Sequence, residues 1–163
     1  MTDHELKANA ERFRASLIKN FSDNVTAVTK SDSEKLDDAY ARMSTLQAWR
    51  SFVLEKTSSD ASLGFFSEAQ NDGLTSIVLV TGGLWRPSLK SLRSLLENIL
   101  HCMYYRDHPI EYRLWDEGKY RPSFKSLFDY FEAHPDVKSA PDDLNPVGVL
   151  RKHYKELSEV VHA

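Results

Sequence analysis

Apolar residues recur every three to four positions along most of the chain, the spacing that puts them on one face of a helix. Asp3 can cap a first helix that carries Leu6, Ala10, Phe13, Leu17 and Phe21 in that rhythm, with Glu11, Arg14 and Lys19 elsewhere on the wheel. Ser31 followed by Glu34 matches a capping box, and Leu36, Ala39, Tyr40, Met43, Leu46, Trp49 and Val53 continue the same period through a long second helix. Ser58, Ser59 and Asp60 interrupt the pattern, and Leu63, Phe65, Phe66, Ala69, Leu74, Ile77, Val78 and Val80 form a third apolar segment. The stretch Thr75 to Thr81 is β-branched enough for a buried strand, but no other segment alternates as a partner, so it is read as helix.

Gly82-Gly83 ends that element, and Pro87 fits the first turn of a central helix through Leu89, Leu92, Leu95, Leu96, Ile99, Leu100, Met103 and Tyr104 to Pro109. Residues Glu111 to Pro122 read as a short helix and a loop. Ser123 to His134 reads as a brief helix with Phe124, Leu127, Phe128 and Phe131 inward, and Lys138 to Leu144 as a linker. Asn145 and Pro146 supply the cap and first turn of a last helix with Val147, Leu150, Tyr154, Leu157 and Val161 on one side. The pattern predicts an all-α bundle of five or six helices in one domain over residues 1–163.

Composition narrows the function classes. The net charge of −3 provides no global positive field for nucleic acid or an anionic membrane, so any RNA contact must be local. One cysteine, Cys102, excludes an internal disulfide framework and points to a reducing compartment. No apolar run is long enough to cross a bilayer and Met1 to Leu6 is polar, so a cytoplasmic protein without a membrane partner is expected. The chain has no Walker loop, no Gly-x-Gly-x-x-Gly and no Gly-x-Ser-x-Gly. Glu159 and His162 form a single Glu-x-x-His pair where a di-iron bundle needs two, so no metal and no cofactor are expected.

Candidate chemistry gathers on two helices. On the central helix Arg93 falls inside the edge of the apolar arc, and Glu97 and His101 follow at steps of four as a polar shoulder. On the last helix Arg151, Ser158 and His162 line a shoulder beside Tyr154 and Leu157. Side-by-side packing would bring Arg93, Glu97, Tyr154, Ser158 and His162 to one pocket. Alternatively, Arg93 and Glu97 form a structural ion pair, and Tyr154 and Ser158 serve packing and capping. Arg86 to Lys125 holds eight Lys or Arg against five Asp or Glu, with Tyr112, Trp115 and Tyr120 interleaved, which suits either stacking on RNA bases or a solvated basic face over core aromatics.

The run from Arg86 through Arg93 to Glu97-Asn98, then Tyr104-Tyr105, His108-Pro109 and Trp115, resembles the central-helix signature of HEPN-like helical proteins of prokaryotic toxin and phage-defence systems. The closing Tyr154-Lys-Glu-Leu-Ser158-Glu-Val-Val-His162 is similar to the ending of the same group. The resemblance implies an all-α bundle, a homodimer and, in active members, metal-independent RNA cleavage by an Arg-x4-6-His motif. Seven residues separate Arg93 from His101 and ten separate Arg151 from His162, so only a composite of Arg93 and His162 imitates that motif. The catalytic candidates are therefore Arg93 and His162, with Glu97, His101, Tyr154 and Ser158 as binding residues. In such a site His162 would move the ribose 2′-hydroxyl proton and Arg93 would clamp the phosphate. Two functions stand side by side: RNA cleavage within a toxin or defence system, and a non-catalytic helical module that binds a protein partner such as an antitoxin or defence component.

Overall fold

The computed structural model describes residues 2–141, 143 and 145–162, except for the side chains of Asp60, Ala61, Val161 and His162. Helix α1 spans Asp3–Ser31, α2 Ser33–Trp49, a π-helical turn Arg50–Leu54, α3 Glu55–Thr57, α4 Asp60–Thr81, α5 Trp85–Asp107, α6 Pro109–Asp116, α7 Phe124–Ala133, α8 Pro135–Lys138 and α9 Val147–His162. No strand occurs among the described residues, and Thr75 to Thr81 is helical as read. The described helix falls into eight continuous stretches rather than five or six. None is long and apolar enough to cross a membrane.

Several ends form where the caps predict them. Ser59 accepts from the Ser62 amide, Ser123 from the Ser126 amide, and Asn145 Oδ1 from the Val147 amide at 3.1 Å. Two caps differ. Thr2, not Asp3, caps α1, in a reciprocal box with Glu5. Ser31 is still helical, so its hydroxyl turns to the Asp32 carboxylate at 2.8 Å, and the predicted Ser31–Glu34 box does not form. The break between α1 and α2 is the single residue Asp32.

Helix α1 meets the C-terminal end of α4, and α2 runs antiparallel along α4. Phe21 lies against Gly82, Val28 beside Ile77 and Val80, Met43 against Gly73, and Gln47 accepts from Gln70 at 2.7 Å. A Cβ on Gly73 would stand 2.5 Å from the Met43 sulfur and 2.9 Å from Leu95 Cδ1, so any larger residue there requires these two side chains to move. At the π turn Arg50 reaches across to Gln70 Oε1 at 3.1 Å. Leu46 and Leu54 reach the core, whereas Trp49 and Val53, expected on the inner face, are exposed. A π turn lengthens the helical repeat locally and so shifts which side chains point inward.

Helices α4 and α5 form a hairpin closed by a Schellman turn. The Gly83 amide donates to Val80 O at 3.0 Å and the Leu84 amide to Leu79 O at 2.8 Å, with Gly83 at φ +81°. Ser76 and Ser88 meet in the interface, where Ser88 Oγ donates to Ser76 O at 2.9 Å. In the C-terminal half of α5, Leu100, His101, Cys102, Tyr104 and Tyr105 are buried, among Phe65 and Phe66 of α4, Leu127, Phe128 and Phe131 of α7, and Val147 of α9. Helix α9 packs antiparallel to α5.

Burial is uneven. The chain exposes 11202 Å², where a globular monomer of 18.7 kDa exposes about 8,300 Å². Neither α1 nor α2 contributes a buried residue.

Candidate functional site

Arg93 on α5 and Tyr154 on α9 face each other, and Glu97 lies one turn along from Arg93. The three side chains close a ring: Arg93 Nε donates to Glu97 Oε1 at 2.9 Å, Arg93 Nη2 donates to the Tyr154 hydroxyl at 3.0 Å, and that hydroxyl donates to Glu97 Oε1 at 3.0 Å. The guanidinium carbon also lies 5.1 Å from the Tyr154 ring centre. Burial works against the Arg93 charge, but Tyr154 and Glu97 outweigh it and hold the guanidinium above its ordinary value. Burial, followed by the Glu97 charge, pushes the Tyr154 phenol up, so Tyr154 is a neutral donor at pH 7.

Of the predicted convergence, Arg93, Glu97 and Tyr154 meet. Ser158 lies on the same side of α9, but its hydroxyl donates to Tyr154 O at 2.7 Å, back into its own helix. His162 is eight residues beyond Tyr154, about 12 Å along the axis of α9, and its side chain falls outside the described residues.

His101 does not join the ring. It is buried, stacked on Tyr105 at 5.7 Å between ring centres and close to Phe65 and Phe124. Burial, reinforced by the Arg121 charge, lowers its pKa to about 4, so the imidazole is neutral at pH 7. Its Nε2 and the Tyr105 hydroxyl have no hydrogen-bond partner among the described residues. A neutral, enclosed imidazole has no route for exchanging a proton with a phosphodiester.

Beside the ring a shallow groove is lined by Phe124, Lys125, Phe128, Arg151, Tyr154, Lys155 and Ser158. Arg151 pairs with Asp129 at 3.0 Å and Glu132 at 3.1 Å. Phe124 has its ring centre 5.1 Å from that of Tyr154 and 5.4 Å from that of His101, so it packs between α9 and α5. Comparison of the chain with family models, with curated proteins and with solved structures returns no match in any of the three.

Two further features escape the sequence reading. Asp107 at the end of α5 accepts from Arg106 at 3.0 Å and from the Tyr130 hydroxyl at 3.1 Å, with His134 Nε2 at 3.5 Å. His134 Nδ1 accepts the Asp136 amide as the cap of α8, so this imidazole is a structural link between α5, α7 and α8. The i, i+4 pair Tyr130 and His134 was the available signal. The second feature is an apolar cavity of about 610 Å³ lined by Leu46, Trp49, Leu54, Phe66, Ile99 and Met103, among others. No group of three or more His, Cys, Asp or Glu that could hold a metal occurs among the described residues.

Proposed function

We propose that the chain is a non-catalytic helical interaction module that binds a protein partner. The observation that carries this reading is its exposed apolar surface: Leu6, Phe13, Leu17 and Ile18 on α1, Tyr40 on α2, Trp49 and Phe52 at and beside the π turn, and Val78 on α4 all face solvent. Large apolar side chains left in water in this number supply the material of an association surface. The polar centre is consistent with a structural role, because Arg93 is already committed to Glu97 and Tyr154 across the α5–α9 interface. The HEPN-like resemblance of the second half of the chain is the reason to look for the partner among toxin, antitoxin or phage-defence components.

The nuclease reading, in which Arg93 and His162 act on RNA, draws support from one observation: Lys125, Arg151 and Lys155 line the groove next to Tyr154. The two readings separate in one experiment. RNA integrity and host-cell growth are followed on expression of the wild type, Arg93→Ala and His162→Ala. The interaction module predicts intact RNA in all three. RNA cleavage by the wild type that is lost in both variants would overturn it in favour of the nuclease.

A further inference from the structure

We propose that the apolar cavity between α2, the π turn and α5 binds a single-chain anionic amphiphile of the fatty-acid class, with its carboxylate on Arg42 and its chain laid along the cavity towards Leu54 and Arg106. The site is separate from the Arg93 ring and goes beyond the protein-partner reading, on which it does not depend.

The cavity begins where α2 stops closing on its neighbours. Met43 and Leu95 both reach Gly73, so near that a Cβ there would collide with them. Beyond Met43 the walls stand apart, and about 610 Å³ is left over a floor that includes Phe66 and Cys102, both buried. The π turn Arg50–Leu54 interrupts the regular period on the α2 side and brings Leu54 to the wall. Such turns recur at functional sites. The volume falls within the range of about 300–1,000 Å³ typical of small-molecule pockets and far exceeds the voids that close packing leaves.

The shape suits a chain. Helix α2 is antiparallel to α4, and α4 to α5, so α2 and α5 run parallel and the cavity lies along both. On α5 its wall extends from Leu95 to Arg106, roughly 16 Å at 1.5 Å per residue. Carbon–carbon bonds of about 1.5 Å carry a carboxylate of about twelve carbons over that distance. A protein partner could place only a side chain or two in so short a space. Met103, on the same wall, can adapt to an alkyl chain.

Charge identifies the head group. Arg42 and Arg106 stand at opposite ends of the wall, and no acidic residue lines the cavity among the described residues. Arg106 is engaged, since its Nε and Nη2 both donate to Asp107. The exposed Arg42 guanidinium has no hydrogen bond or ion pair among the described residues, so its donors are available. A guanidinium presents paired N–H groups in the geometry a carboxylate accepts. Thr45, on the same wall, spends its hydroxyl proton on Ala41 O at 2.9 Å and cannot donate to an anion as well. Trp49 lines the cavity about two turns after Arg42 and is 57% exposed, so a chain running from Arg42 towards Leu54 passes its indole.

Isothermal titration of the full chain with monomeric dodecanoate tests the proposal, with dodecyltrimethylammonium as the same chain carrying the opposite charge. One dodecanoate per chain is expected, and the cationic chain should bind at least about tenfold more weakly. Arg42→Ala should weaken dodecanoate by about 10- to 100-fold. Ile99→Trp, which fills the cavity, should abolish binding; should it fail to fold by circular dichroism, Arg42→Ala carries the test, because its side chain bonds nothing in the chain. Orientation is read by fluorescence: 12-bromododecanoate should quench more than 2-bromododecanoate, and the difference should vanish in Trp49→Phe. No binding up to about 1 mM, equal binding of the cationic chain, equal binding by Arg42→Ala, or equal quenching by the two bromo acids would overturn the proposal. Binding to phosphatidylglycerol vesicles without binding of monomeric dodecanoate would overturn it in favour of a membrane surface. Either failure leaves the protein-partner reading standing, and RNA cleavage dependent on Arg93 and His162 would remove that reading and leave this site.

Discussion

Replacing Arg93 with alanine separates a structural ring from a phosphate clamp, because the two roles predict opposite readouts. In the structural role, the change removes both donors to Glu97 and Tyr154 and the stacking on the phenol ring. The magnitude lies between two limits. Exposed ion pairs contribute about 0.2–1 kcal/mol, and breaking a fully buried pair costs about 3–5 kcal/mol. The Arg93 and Glu97 side chains are 21% and 25% exposed, so water can reach the stranded carboxylate and the upper limit does not apply. A cost of about 2 kcal/mol follows, since the Tyr154 hydroxyl still donates to Glu97 after the arginine is gone.

In a chain of this length that cost lowers the melting temperature by about 4–8 °C. Thermal and urea melts monitored by circular dichroism measure it. The double variant with Glu97→Gln should cost less than the sum of the single changes, because the two residues share one interaction. Arg93→Lys should recover only part of the loss, since an ammonium cannot place two donors along the directions of Glu97 and Tyr154. An Arg93→Ala protein that melts with the wild type and has lost an RNA cleavage activity would refute the structural role.

Stability should also fall with acid through His101. Its native pKa is about 4 and its unfolded value is 6.5, so between these pH values the unfolded chain binds a proton that the native chain does not, and stability declines as pH falls from 6.5 towards 4. The loss is on the order of 3 kcal/mol, and urea melts across this range should show it in the wild type and not in His101→Phe. Gly73→Val should destabilise by about 1–3 kcal/mol through collision with Met43 and Leu95, measured by the same melts; an unchanged midpoint would show that these two side chains move aside without loss. Cys102 is buried and its thiol is pushed up to about 11 by that burial, so a thiol reagent at pH 8 should react only after the protein is unfolded.

Periodicity and caps made most of the helices legible. Ser59, Ser123 and Asn145 start α4, α7 and α9 because a short polar side chain beside an apolar period has one good place to go, the orphan amides of a helix start. The π turn at Arg50–Leu54 leaves no such mark. It exchanges one intrahelical pattern for another without a breaker residue, so Leu54 packs on the core where Val53 was expected.

The candidate site was half legible for a geometric reason. Steps of four advance 40° around a helix, so Arg93 and Glu97 remain neighbours while His101 has turned 80° away from Arg93. On a helix packed on one face that rotation would leave His101 at a polar edge. On α5, which α4 and α7 enclose from different sides, it carries the imidazole into the aromatic core beside Tyr105 and Phe65. Tyr154 meets Arg93 and Glu97 because it lies on the side of α9 that touches α5, whereas the Ser158 hydroxyl turns back because a serine inside a helix can bond the carbonyl four residues before it.

The first helix shows the converse limit of a pattern. The step that places Leu6, Ala10, Phe13 and Leu17 in register also places Phe21, Asn24 and Val28 there, and the period is the same on both sides of Phe21. A hydrophobic period states that a face is to be covered, and it carries no information about which chain covers it. Here the chain itself covers the face only as far as Gly82. The helix is capped at Thr2 and unbroken to Ser31, so the outer turns cannot fold back onto the bundle without a break in α1. A rigid rod with an apolar face beyond the reach of its own fold must expose that face to water or bury it against another molecule, and burial is favoured by about 25 cal/mol for each Å² removed from water.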